Sequence, residues 1–325
     1  MSATTLAGTG VLFGFREAGI AAEPPPETRK LRLAQTTSAC QAALYVAEEL
    51  LRTEGFTDVK YVKQPGALLF KSLASGEVDI GVTFVAPFIL DIDTGKPVVL
   101  LGGMHVGCLE LFGTDRIRSL RDLKGKTVAV SALGAAGHVF LASMLIYVGL
   151  NPHHDVHWVT HPLSDSVRLL AEGKIDGFMT VPPVTQDLRA KKIGHVVVNS
   201  TVDRPWSQYF CCVIAANREF VRKNHVATKR AMRAILKGDA MCALEPERSA
   251  KLLVEKGITT QYEYAVQMMK ELPYGKWREY DVEDTVRFYS LRLNEAGMIK
   301  SSPQKIISQG TDWRFLNELK KELKT

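Results

Sequence analysis

The stretch Asp58–Val82, DVKYVKQPGALLFKSLASGEVDIGV, recurs 97 residues later as Asp155–Met179, DVHWVTHPLSDSVRLLAEGKIDGFM. Without a gap, Asp58, Val59, Val62, Pro65, Leu73, Ala74, Gly76 and Asp79 match Asp155, Val156, Val159, Pro162, Leu170, Ala171, Gly173 and Asp176. Solenoid repeats recur at roughly 20–50 residues, so this longer interval implies two similar lobes in one chain. Each copy reads as strand, loop, helix, glycine stop and strand. Val59–Val62 and Val156–Val159 are short β-rich runs. Pro65 and Pro162 then stand where a helix begins, which their fixed φ and missing N–H allow. Gly76 and Gly173 suit a left-handed helix stop. The runs Val78–Phe84 and Ile175–Val181 are almost wholly apolar, as expected of parallel strands buried on both faces. Strand, helix and strand so closely joined predict a right-handed parallel unit.

The 325 residues can hold two domains, and 46% hydrophobic with 23% charged residues is ordinary globular composition. The net charge of +6 is spread along the chain. Its basic runs, Arg222–Arg233 and Lys320–Lys324, fall on amphipathic helical patterns without interleaved aromatics, so no nucleic-acid partner is expected. Leu6–Phe15 is apolar but too short to span a bilayer. With Ala18–Ala22 and the proline-rich Glu23–Glu27 it has the form of an export signal, cleaved near Ala21 or Ala22. A basic start is expected upstream of Met1, and MSATTLAGTG is similar to the second half of a twin-arginine signal. Residues 1–30 are therefore expected to be signal remnant and linker, and the chain to be periplasmic. Cys40, Cys108, Cys211, Cys212 and Cys242 form no metal or redox motif by spacing. Buried free thiols are expected, and Cys211 and Cys212 should point to opposite faces of a strand.

In chain order, Leu31–Ala34 and Lys126–Val130 are the first strands of the two lobes, each followed by a small or hydroxyl-rich turn into a helix. Val98–Leu101 is expected to end at Gly102-Gly103, and Phe210–Ala215 to be a strand leaving the second lobe. From Asn217 onward the pattern is helical. Ligands of open parallel sheets bind beyond the carboxyl ends of the strands. That rule selects Thr36, Thr37, Ser38, Gln64, Ala86, Pro87 and His105 in the first lobe. In the second it selects Ser131, Ala135, His138, His161 and Thr180. Helix N-termini among these turns suit a small anionic or polar ligand.

The chain has no G-x-S-x-G, no P-loop and no G-x-G-x-x-G after a strand. No catalytic residue, metal or cofactor is expected. His153, His154, His157 and His161 lie partly on a strand and partly in turns, which is not zinc-ligand spacing. Trp206, Tyr209 and Phe210 form an aromatic cluster suited either to core or to a pocket wall.

DLKGKTVAV at Asp122–Val130, LASGEVDIGV at Leu73–Val82 and LAEGKIDGF at Leu170–Phe178 resemble the substrate-binding proteins of nitrate/sulfonate/taurine-type ABC importers. GKPVVLLGG at Gly95–Gly103 and LIYVGLNP at Leu145–Pro152 share the resemblance, which extends over nearly the whole chain from Leu31. It implies a two-lobed α/β periplasmic-binding-protein fold of type II, each lobe a mostly parallel sheet flanked by helices. Lobe 1 would comprise 31–113 plus 216–325, and lobe 2 114–215. A monomer would close on a small-molecule ligand by a hinge and present it to a membrane permease. Thr36, Thr37, Ser38 and Gln64 fit the hydroxyls and amides of relatives that bind nitrate or sulfonate. Ala86, Pro87, Ala135 and Ala136 offer only backbone and shape, which permits a larger, more apolar ligand. Two alternatives on the same fold are an enzyme like the thiamine-pyrimidine synthases and a ligand-sensing partner of a membrane receptor. Specificity is expected where the copies differ: Gln64 against His161, Gly66 against Leu163, Ala86 against Pro183.

Overall fold

The structure, a computed structural model, describes residues 23–36, 38–64 and 69–323. The expected export segment, Thr37, Pro65 and Gly66 lie outside the described residues. Valine- and isoleucine-rich runs become β1 (Lys30–Gln35), β2 (Asp58–Lys63), β3 (Ile80–Phe84) and β4 (Val98–Val106). The chain continues through β5 (Glu110–Gly113), β6 (Lys126–Val130), β7 (Val156–Thr160), β8 (Gly177–Thr180), β9 (His195–Asn199) and β10 (Phe210–Asn217). They make two sheets of order β2-β1-β3-β10-β4 and β7-β6-β8-β5-β9. The repeat therefore supplies β2 and β3 to one sheet, and β7 and β8 to the other. β1 pairs in parallel with β2 and β3, and β6 with β7 and β8. The fourth strand of each sheet, β10 or β5, is antiparallel to both its neighbours. The expected α/β class and mostly parallel sheets are present.

The matched aspartates show why the repeat is scaffold. Asp79, 4% exposed, accepts from the Arg32 N–H on Oδ2 at 2.7 Å and returns its own N–H to the Arg32 carbonyl at 2.8 Å. Its carbonyl accepts from Asn217 N–H at 2.9 Å, so one residue joins β1, β3 and the end of β10. Asp176 repeats this with Thr127 at 3.0 and 2.8 Å and with Thr114 at 3.0 Å. An arginine completes each carboxylate: Arg32 on Asp79 and Arg116 on Asp176.

Several expectations based on order alone need correction. Sheet membership does not change at Gly113/Thr114 or Ala215/Ala216. β5 pairs in the second sheet and β10 in the first, because the chain crosses between the sheets before each strand rather than after it. Gly102 and Gly103 do not stop β4, which runs on to Val106. A side chain at Gly103 would collide with the Phe210 ring, so this glycine permits close approach inside a strand. His105 is consequently a buried strand residue. Residues 23–29 are not a free linker. Glu23 pairs with Arg233 at 2.8 Å, and the Glu27 carboxylate accepts from Val226 and Ala227 N–H, each at 2.9 Å. Trp206 is core, packed edge-to-face on Phe140 at 5.8 Å and on Phe288 at 5.9 Å.

The two lobes touch through helices as well as strands. The helix Ala136–Tyr147 beside the second sheet packs on Val85–Asp93 and Val282–Glu295 of the first, with Phe84 and Phe140 at 4.8 Å. Between the lobes the two crossings bind one another. Leu109 N–H donates to Ser200 Oγ at 3.0 Å, and Ser200 N–H to the Leu109 carbonyl at 3.0 Å. At Gly107, whose φ is +79°, a side chain would strike Thr201 of the other crossing.

Of the matched aspartates, Asp79 and Asp176 should matter most for stability. Asp79→Ala should cost about 3 kcal/mol, because it leaves a buried strand N–H and an arginine without their acceptor. Asp58→Ala, at a half-exposed side chain, should stay within about 0.5 kcal/mol. Denaturant unfolding of the two variants checks the contrast.

Candidate functional site

A cavity of about 310 Å³ lies between the carboxyl ends of the parallel strands of both sheets. Thr36, Ser38, Gln41, Thr83, Ser131 and Thr180 give it polar groups. Phe84, Leu109, Leu163, Met179 and Val181 give it apolar wall, and Cys40, Cys108, Cys211 and Cys212 line one side. No Lys, Arg, Asp, Glu or His is among the described lining residues. The described lining thus offers neutral hydrogen-bonding groups and apolar surface.

Each polar group is set by the turn that carries it. Thr36 directly follows β1; its Oγ1 donates to Gln41 Oε1 at 2.9 Å and accepts the Ser38 N–H at 3.2 Å. This ties the turn before the 3-10 segment Ala39–Gln41. Ser38 precedes that segment without a capping side-chain bond, and its Oγ lies 3.1 Å from Cys40 Sγ. Thr180 ends β8, is 3% exposed, and its Oγ1 has no hydrogen-bond partner. A buried hydroxyl left so is costly, and a bound solute would satisfy it. Thr83 is its counterpart in β3, at the same place in the other copy of the repeat. Ala135, Ala136 and Gly137 line the wall where the 12-residue helix Ala136–Tyr147 begins. The N-cap Ala135 gives no side-chain bond, so the first backbone N–H groups are available to a ligand with the positive end of the helix dipole.

Of the residues selected from sequence, Thr36, Ser38, Ser131, Ala135 and Thr180 meet at this cavity. Ala86 and Pro87 do not. Helix Val85–Asp93 starts directly after β3 with no loop and buries them, so this strand end reaches the cavity through Thr83 and Phe84 instead. His105 is also off the lining. Its Nε2 lies 3.0 Å from the Cys40 carbonyl and Nδ1 3.1 Å from the Val106 carbonyl. His138 accepts the Gly134 N–H on Nδ1 at 3.0 Å and packs edge-to-face on Trp158. Burial lowers its pKa to about 4, so a neutral ring holds the Ser131–Gly137 turn. Gln64 is buried with Nε2 unpartnered, and its N–H donates to the Gln35 carbonyl; His161 donates likewise to Val130. Neither lines the cavity. His153 donates through Nε2 to the Ala296 carbonyl at 2.8 Å and is not among the residues that line the cavity. Thr83, Gln41 and the cysteines were missed. Thr83 was accessible, since extending the repeat by one residue pairs it with Thr180. The cysteines were not, because their convergence depends on strand irregularities.

A model of the NMT1-like family matches residues 22–254. The nitrate/nitrite binding protein NrtA of Nostoc sp. is 20% identical over 67% of this chain, which spans 55% of that protein's length. Among solved structures, the periplasmic nitrate-binding protein NrtA from Synechocystis PCC 6803 superposes with a TM-score of 0.76 at 15% identity, covering 92% of this chain and 90% of that one. The alkanesulfonate-binding protein SsuA from Xanthomonas axonopodis pv. citri, bound to MOPS, gives 0.68 at 16% identity over 86% and 96%. These likenesses establish the two-lobed binding-protein fold, and the family match establishes membership. The chain belongs to the NMT1-like family.

Proposed function

We propose that this protein is an extracytoplasmic solute-binding protein that holds a small polar or anionic organic solute between its lobes and presents it to the permease of an ABC importer. The observation that carries this is the cavity itself. It is built from equivalent strand ends of two repeated lobes, with Thr83 and Thr180 facing it from opposite sides. A solute that touches both lobes favours the closed arrangement over the open one, which is the signal a permease can read. The names of the relatives support anions such as nitrate or a sulfonate as first candidates. The uncharged lining favours an anion held by hydroxyls and helix N–H groups, or a solute with a substantial apolar part. Export to the periplasm belongs to the same proposal; among the described residues no helix is long and apolar enough to cross a membrane.

Closure also has a polar latch beside the cavity. Arg189, on helix Val184–Lys191 of the second lobe, donates to Glu271 Oε2 at 2.6 Å on the C-terminal helix Tyr262–Glu271. The same guanidinium lies 3.5 Å from Glu110 on β5. Ala39 N–H reaches the Pro182 carbonyl at 3.4 Å, a second bond between lobes. Burial pushes the Glu110 carboxyl up from 4.5 to about 7, against the pull of Arg189 and with the help of Glu271. A protonated Glu110 leaves Arg189 to serve Glu271 alone.

Thermal-shift screening against nitrate, bicarbonate, alkanesulfonates, carboxylates and pyrimidines should give one saturable hit that is recovered chemically unchanged. Thr83→Val and Thr180→Val should each weaken that hit about tenfold, one hydrogen bond's worth, with the melting temperature of the free protein nearly constant. Conversion of the hit to product would exclude a binding-only role. The Glu110 pKa gives a separate test. Because folding raises it, the stabilisation is complete below pH 4.5 and is lost as pH rises through about 7. Glu110→Gln should remove this slope from the unfolding free energy; an unchanged slope would place the titration elsewhere.

A further inference from the structure

One wall of the cavity carries sulfur that solute binding does not use. Cys40 follows β1, Cys108 lies in the crossing between β4 and β5, and Cys211 and Cys212 begin β10; all are buried free thiols. Cys108 Sγ is 3.0 Å from Cys211 Sγ, and Cys212 Sγ is 4.0 Å from Cys40 Sγ. The sulfurs of Cys108, Cys211 and Cys212 all lie within 4.8 Å of one another. Two backbone irregularities bring them together. Register shifts in the β10–β4 pairing at Phe210/Cys212 and Cys212/Val213 break the alternation of adjacent strand residues, as bulges do, so both thiols reach the cavity. Cys108 has a φ of +94°, outside the ordinary range of a residue with a side chain. Such strain persists where the surroundings enforce it, and it clusters at functional sites.

We propose that Cys108, Cys211 and Cys212 form a thiolate site for a soft or borderline transition-metal ion, Zn²⁺ or Cu⁺, with one coordination position open to the cavity. Thiolate donors select such ions over Mg²⁺ or Ca²⁺. With a metal–sulfur bond of about 2.3 Å, two thiolates on one tetrahedral ion stand about 3.8 Å apart. Cys108 and Cys211, at 3.0 Å, would have to part slightly to reach it, and every separation in the trio is within 4.8 Å. Each thiol loses its proton to solvent as its sulfur binds. His105 lies within 4.8 Å of Cys40 and Cys212, but both its ring nitrogens already face backbone carbonyls, so the proposed shell does not use it. Cys40, across from Cys212, is the nearest further donor. Three protein ligands with the fourth position free is the pattern of metal sites that contact a ligand rather than only support a fold. The site is independent of which solute fills the cavity.

The test is anaerobic titration of the full chain, its five cysteines first shown reduced by thiol count, with Co²⁺ and then Zn²⁺. The expected result is a sulfur-to-cobalt charge-transfer band that saturates at one equivalent and is displaced by Zn²⁺. About three protons should be released per Zn²⁺ in weak buffer. Cys212→Ser and Cys108→Ser should each lower the affinity at least tenfold, with folding checked by circular dichroism. Cys242→Ser, whose residue lies outside the cavity lining, should leave it unchanged. Absence of the band in fully reduced protein would overturn the proposal. So would a band retained in both Cys212→Ser and Cys108→Ser, or a Cys108–Cys211 disulfide in peptide mass spectra of the metal-treated sample in place of bound ion. None of these readouts depends on the solute screen.

Discussion

The constraint on which the rest of the molecule depends is that each sheet takes its fourth strand from a chain that has just crossed from the other lobe. β5 enters the second sheet after β4, and β10 returns to the first after β9. Both run against their neighbours, so the crossings lie side by side and bond through Leu109 and Ser200. The lobes are therefore joined at one edge, and the carboxyl ends of the parallel strands face one another across a cavity. Asp79 and Asp176 lock the arrangement from within, each tying the inserted strand to the two parallel strands beside it.

Much of this was legible in the sequence because the repeat records local rules. Proline at a helix start, glycine at its end and an apolar run after it are short-range signals, and the structure places β2, β3, β7 and β8 where the two copies put them. The carboxyl ends of β1, β6 and β8 led to Thr36, Ser38, Ser131, Ala135 and Thr180, which share the cavity. Long-range pairing was not legible. Nothing local tells whether Glu110–Gly113 pairs with the sheet before it or the one after it, and the expected lobe boundaries failed there. Gly103 has the composition of a stop but serves as a gap for the Phe210 ring. His105 consequently moved from a candidate ligand-binding turn into a buried strand.

The cavity is chemically two-sided. One wall holds hydroxyls and a helix start, with no Lys, Arg or His among the described lining residues. The other holds four cysteines, brought together by register shifts in β10 and a left-handed residue in the crossing. Residue spacing offered no hint of this, since alternation along a strand would separate Cys211 from Cys212. The crossings thus shape the hydroxyl wall and the thiol cluster together.

The most direct test of a solute site between the lobes uses those thiols as reporters. Reduced, chelator-treated protein would be labelled with a small alkylating reagent, with and without a saturating amount of the solute found by thermal shift, and each cysteine read by peptide mass spectrometry. A solute lodged between Thr83 and Thr180 should slow labelling of Cys108, Cys211 and Cys212 and leave Cys242 unchanged. Equal labelling of the cavity cysteines in both samples would contradict a solute site there.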